Sequence, residues 1–414
     1  MERGAAEPSD LYRRVRAATV ALAAPLTVED QVVQSMPEVS PTKWHLAHTS
    51  WFFETFVLRP GLPGYRPLDE RYAYLFNSYY VAAGDRIPQP QRGLLSRPTV
   101  AEVHDYRAHV DAAMLRFLER SAPALLGVVE LGLNHEEQHQ ELVLTDIAHV
   151  LAQNPLDPAY RAAPPAAAAE PAAPALGWRA FPGGSVEIGA GPTGFAFDNE
   201  RPRHAVSIRP FALATRAVTV GDWLAFMDDG GYARPDLWLS DGWEARARGG
   251  WDSPLYWHKD GEGAWSELTL VGRRPLESSL AVAHVSFYEA DAYARWAGLR
   301  LPAETEWEVA AASESAPGAL LESERLRPGI AGAGLAQMTG DVWEWTASPY
   351  LAYPGFRPLA GALGEYNGKF MSNRIILRGG SCLTPTRHIR RSYRNFWVPD
   401  TRWQMTGLRL ARDA

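Results

Sequence analysis

At 414 residues the chain is longer than one ordinary hydrophobic core accommodates, so two domains are the expectation. Hydrophobic residues make up 46% and charged residues 21%, as in a globular protein, and a formal net charge of -7 argues against nucleic acid as a main partner. The single cysteine, Cys382, excludes an intrachain disulfide and suits a reducing cytoplasm, and no uncharged apolar run approaches the ~18 residues of a membrane span.

The N-terminal stretch carries Glu2 and Asp10 and reads as a first helix over 9–24 rather than as a signal peptide. Thr27, three residues before Asp30, offers an approximate capping box after Pro25. Ser40 and Pro41 then open an apolar-periodic run that reaches Leu58 and is closed by Pro60. Trp44, His48, Trp51 and Thr55 fall on one side of it. His48 reads either as a buried histidine donating to a carbonyl or as a metal ligand. Residues 61–98 are turn-rich, and a loop of that length between helices points to function; it presents Asn77, Tyr79, Tyr80, Arg86, Arg92 and Arg97. Thr99 and Glu102 mark the start of a helix running to about Arg120.

The fourth long helix contains His135-Glu136-Glu137-Gln138-His139. Imidazoles four residues apart share a helical face and can converge on one metal, for which neutral nitrogen suits iron, zinc, nickel or copper. Such a pair also occurs by chance, so a third ligand decides the matter. Four helices, two of them bearing histidine, predict a bundle with a site between helices. The text then turns to alanine and proline, predicting a linker over 157–176. Beyond it, short strand-like pieces such as GSVEIG and RIILRGG alternate with glycine-rich turns and three short helices, at VTVGDWLAFMDDGGY, SFYEADAYARWAGL and LPAETEWEVAA. An irregular α+β domain over 177–414 is the expectation.

WHLAH at 44–48, HEEQH at 135–139, LPAETEWE at 301–308, GDVWEWTASPY at 340–350, LRGGS at 377–381 and RNFW at 394–397 occur in that order. In this the chain resembles the ergothioneine-biosynthesis sulfoxide synthases, or hercynine oxygenases. The resemblance implies an all-α DinB-like four-helix bundle over 1–156 and a C-type-lectin-like domain of the formylglycine-generating-enzyme type. It further implies iron(II) held by His48, His135 and His139. The expected chemistry joins a thiol to imidazole C2 of hercynine with reduction of O2, giving a sulfoxide. Gln138 and Asn395 match residues that hold the imidazole, though their ordinary readings are a surface glutamine and a turn residue. Phe396 is the expected aromatic face for the trimethylammonium group.

Trp397 stands where relatives using γ-glutamylcysteine have an aspartate for the donor's ammonium. The resemblance therefore favours the branch using free cysteine, in which adjacent tyrosines matching Tyr79 and Tyr80 supply the active-site phenol. Their structural reading is a packed aromatic corner. Arg92 and Arg97, with Arg86, are the expected partners of the donor carboxylate, with Arg390, Arg391 and Arg394 as alternatives. Trp307, Trp343, Trp345, Glu304, Glu306 and Glu344 are assigned to structure, and Cys382 to packing. A selenosugar or γ-glutamylcysteine donor, a zinc-dependent DinB-type thiol transferase and a non-enzymatic binding module are the rival readings.

Overall fold

A computed structural model describes residues 7–120, 123–162, 171–313 and 317–414. The chain divides into two units, one of Met1–Leu156 with Leu359–Tyr366 and one of Asp157–Pro358 with Asn367–Ala414. Residues 163–170, the middle of the expected linker, lie outside the described residues. Its flanks engage the second unit: Tyr160 is buried, Arg273 donates to the Asp157 carboxylate, and Arg216 donates to the Pro174 carbonyl.

The first unit is built on four long helices: α1 (Pro8–Ala23), α2 (Thr42–Phe53), α3 (Val100–Glu119) and α4 (Pro123–Ala152). α1 packs on α4, and α2 packs on both α3 and α4. All twelve residues of α2 are buried, so it is the centre of the bundle rather than an amphipathic outer helix. Gly132 lets α4 come close to it: a Cβ there would lie 2.6 Å from a Phe53 ring atom and 2.9 Å from one of Phe52. α2 does not stop at Phe53. It loosens into a π turn over Glu54–Leu58 and ends in a last turn at Arg59–Gly61, so Pro60 sits inside the helix's last turn rather than beyond its end. α3 begins as expected. Thr99 Oγ1 accepts the Glu102 N–H, and the Glu102 carboxylate accepts the Thr99 N–H. The Thr27–Asp30 box also forms, but it opens only a single 3-10 turn at Asp30–Val32.

The second unit is irregular α+β. Its largest sheet has four strands in the order Asn395–Trp397, Ile375–Arg378, Trp343–Pro349 and Thr406–Leu408, the last pair parallel. A three-stranded sheet joins Trp178–Phe181, Phe211–Ala214 and Ala411–Asp413. Phe181, Phe211, Leu213, Trp307 and Met338 are among its core side chains. The three expected short helices form at Val220–Asp228, Phe287–Trp296 and Glu304–Ala310. A fourth, Ser240–Gly249, lacks a clear apolar stripe in its sequence and buries only Gly242 and Ala245. Trp307, Trp343 and Trp345 are buried, as is Cys382. Among the described residues no helix is long and apolar enough to cross a membrane.

Candidate metal centre

α2 and α4 bring His48, His135 and His139 together, with one ring nitrogen from each within 4.8 Å of the others. His48 Nε2 and His135 Nε2 stand 3.2 Å apart. Ring centroids lie 4.9 Å apart for His48–His135, 4.8 Å for His48–His139 and 4.6 Å for His135–His139. The two readings of His48 turn out to be compatible. Its Nδ1 donates to the Phe76 carbonyl at 2.6 Å, which leaves Nε2 with a lone pair facing the other two imidazoles. The indoles of Trp44 and Trp51, one helical turn to either side, stack on its faces with centroids at 4.6 and 5.4 Å.

All three rings are buried, and burial penalises their protonated forms. It holds His48 and His139 well below the usual histidine range and pulls His135 down to about 3. Neutral imidazoles with their ring nitrogens crowded together form a donor set that fits a divalent transition metal. His135 Nδ1 has no hydrogen-bond partner among the described residues.

Tyrosines flank the cluster. Tyr80 is fully buried, its ring 5.5 Å from Trp51 and stacked at 4.6 Å on Tyr79. Burial pushes the Tyr80 phenol well above its ordinary value, so it holds its proton. A third phenol, from the far end of the sequence, joins this group. Tyr366 lies 5.6 Å from the His135 ring and 6.4 Å from the Tyr80 ring, and its hydroxyl donates to Gln138 Oε1. Glu365 anchors that segment by accepting the N–H groups of Val81 and Ala82 at 3.0 and 2.8 Å. Sequence reasoning missed Tyr366. The signal available was its place in the GALGEYNGKF stretch, but only the fold pairs it with a residue 228 positions away.

The three loop arginines separate. Arg92 is buried, lies 3.5 Å over the Trp44 ring and donates to Ser40 Oγ. Burial lowers it to about 9, and no carboxylate hydrogen-bonds it among the described residues. Arg86 and Arg97 are exposed, Arg97 donating to the carbonyl of its neighbour Ser96. In the second unit Arg394 is committed to Glu304, and Arg390 to Glu200. Asn395, Phe396 and Trp397 form one edge strand opposite Leu377, Ile376 and Ile375. Phe396 stacks on Tyr350 at 4.0 Å, Trp397 packs edge-on to Trp403 at 5.4 Å, and Asn395 Oδ1 accepts the Phe396 N–H.

Comparison with known proteins agrees with this two-part layout. The model of the DinB superfamily matches residues 11–153, and that of the sulfatase-modifying factor enzyme 1-like domain matches 167–325 and 324–414. Hercynine oxygenase of Mycolicibacterium thermoresistibile is 34% identical over 409 residues, covering 91% of this chain and 88% of the relative. Hercynine oxygenase of Mycobacterium tuberculosis is 34% identical over 418 residues, covering 91% and 92%. Formylglycine-generating enzyme of Streptomyces coelicolor is 31% identical over 320 residues, covering 62% of this chain and 97% of its own. A DinB-type bundle carrying a buried imidazole cluster, followed by a sulfatase-modifying-factor-type domain, is the layout of an oxygenase enzyme. The chain belongs to the hercynine oxygenase family.

Proposed function

We propose that this enzyme joins L-cysteine to imidazole C2 of hercynine and oxidises the new thioether, giving hercynylcysteine sulfoxide in ergothioneine biosynthesis. The carrying observation is the buried cluster of His48, His135 and His139 in a chain that aligns over 91% of its length with hercynine oxygenases. The reaction balances as one imidazole C–H, one thiol and one O2 giving one sulfoxide and one water. Those four electrons come from the two substrates, so no external reductant is needed. Ferrous iron, held by the three histidines, supplies the one-electron chemistry that O2 requires. The site's small-molecule partners are thus hercynine, cysteine and O2, and a cytoplasmic setting suits a free thiol donor.

The chain's own residues bind and manage protons. Tyr80, or Tyr79 stacked on it, is the phenol proton source, and retention of the Tyr80 proton by burial suits that role. The half-buried Gln138 amide offers a carbonyl oxygen and an N–H group to the imidazole nitrogens, with Tyr366 setting its orientation. Arg92 is the preferred partner of the donor carboxylate, because it is a buried guanidinium that no carboxylate yet satisfies among the described residues. Asn395, Phe396 and Trp397 are assigned to substrate contact, and residues 157–176 to the tether between domains.

The test is aerobic turnover of the iron-loaded enzyme with hercynine and equimolar cysteine, γ-glutamylcysteine and a selenosugar, the products read by mass. Hercynylcysteine sulfoxide is expected to predominate. A selenium-bearing product or the γ-glutamyl conjugate in its place would reassign the donor, and no conjugate from any donor would overturn the reading.

A further inference from the structure

Behind His139 stands a second imidazole that the three-ligand set does not use. His45 lies on α2 one turn before His48 and is buried. Its Nδ1 is 2.8 Å from His139 Nδ1, and its Nε2 is 3.0 Å from Asp146 Oδ2. Asp146 is itself buried, two turns beyond His139 on α4, and its Oδ2 also accepts the Ser40 N–H at 2.8 Å.

The proton positions along this chain follow from who can donate. An ionised carboxylate only accepts, so the contact with Asp146 requires the proton on His45 Nε2. With one proton per ring, His45 Nδ1 is then an acceptor, and the 2.8 Å contact requires the His139 proton on Nδ1. His139 Nε2 is thereby left as a lone pair. His48 reaches the same state by a different route, donating Nδ1–H to the Phe76 carbonyl, whereas nothing among the described residues stands behind His135 Nδ1.

We propose that His45 and Asp146 are positioning residues that lock His139 in the tautomer whose Nε2 can bind a metal. This inference rests on the three-histidine metal reading. A ligand backed in this way is held in orientation and made a better donor, and loss of such a partner typically costs about 10–100-fold in metal affinity. The direction of the lock makes a sharp contrast between two substitutions. In Asp146→Ala nothing holds the His45 proton on Nε2, so it can move to Nδ1 and drive the His139 proton to Nε2. In His45→Gln the amide oxygen can still accept the His139 Nδ1–H.

The experiment is anaerobic titration of the metal-free protein with Co(II) against a competing chelator, read by the visible spectrum of the bound ion. His48→Ala serves as the ligand control and thermal melting as the folding control. Asp146→Ala is expected to bind about 10–100-fold more weakly than the unsubstituted protein, with His45→Gln near the unsubstituted value. Equal affinity for Asp146→Ala and the unsubstituted protein, or equal losses in both variants, would overturn the lock. Failure of the unsubstituted protein to bind Co(II), or undiminished binding by His48→Ala, would instead overturn the metal reading. In ¹⁵N-histidine spectra of the metal-free protein the His139 proton should sit on Nδ1; a proton on Nε2 contradicts the proposal.

Discussion

The imidazole cluster of the first unit and the arginine clusters of the second bury polar groups in opposite ways. In the second, buried cations are closed on carboxylates. Arg409 binds both oxygens of Glu344 and the carbonyls of Ala214 and Ala336, while Arg378 binds Glu304 and Glu308. In the first, neutral imidazoles gather with their ring nitrogens close together and no carboxylate in the group. The contrast even runs through one motif. Glu136 sits beside His135 but turns to the other side of α4, where Arg16 and Arg107 each donate to it at 2.9 Å. That pairing holds the Glu136 carboxyl down at about 2 despite burial. A closed cluster has nothing left to bind and serves as scaffold; an open one can take a ligand. Buried Arg92, with no carboxylate hydrogen-bonded to it among the described residues, belongs with the open kind.

Opening the imidazole set further should have the largest effect. His48→Ala removes a ligand, and we expect metal content far below one per chain and product formation at background. That loss exceeds the ~10²–10⁴-fold contributed by a positioned proton donor. Full metal content in a folded His48→Ala protein would remove the site. Tyr80→Phe comes next, with sulfoxide formation down by about 10²-fold or more and thiol oxidation taking its place. Unchanged product partition in both Tyr79→Phe and Tyr80→Phe would shift the role to Tyr366, whose Phe variant is then the comparison.

Breaking a closed cluster should cost stability instead. Glu344→Ala strands the buried Arg409 guanidinium and is expected to lower unfolding free energy by about 3–5 kcal/mol in denaturant titration. Glu136→Ala should do the same in the bundle by stranding Arg16 and Arg107. Arg97→Ala, at an exposed site, should stay within about 0.5 kcal/mol. A large loss there would contradict the division drawn between the arginines.

Acid should also tell the open cluster apart. His135 lies at about 3 when folded, against an ordinary 6.5. Between those values the unfolded chain takes a proton that the folded one refuses. The stabilisation of the metal-free protein is therefore complete above about pH 6.5 and falls as pH drops toward about 3. Unfolding titrations near neutrality and near pH 5 should show the loss, and a flat profile would mean the imidazoles are not buried neutral.

Much of this was legible in the chain because it is local. Helical spacing put Trp44, His48 and Trp51 on one side and paired His135 with His139, and the Thr99–Glu102 box forms as read. Glu304, Glu306 and Glu344 look catalytic by residue type, yet they are structural, their carboxylates accepting from Arg394, the Ala303 N–H and Trp307 respectively. What escaped was non-local. The link from Gln138 to Tyr366, the relay from Asp146 through His45 to His139, and the membership of Leu359–Tyr366 in the first unit depend on packing between distant segments. Periodicity carries no record of such contacts. The helix at Ser240–Gly249 escaped because it has no clear hydrophobic stripe of its own, and the π turn because its wider hydrogen bonding leaves no mark in an apolar run already read as helix.

If the proposed function is right, the open imidazole cluster holds the iron that makes the carbon–sulfur bond. The most direct measurement loads metal-free protein with stepwise Fe(II), or with Zn(II), and reads the product from hercynine, cysteine and O2 by mass. Hercynylcysteine sulfoxide is expected to rise with iron to saturation at one equivalent per chain and to be absent with zinc. Sulfoxide formed equally well with zinc, or by the folded His48→Ala protein, would contradict that reading.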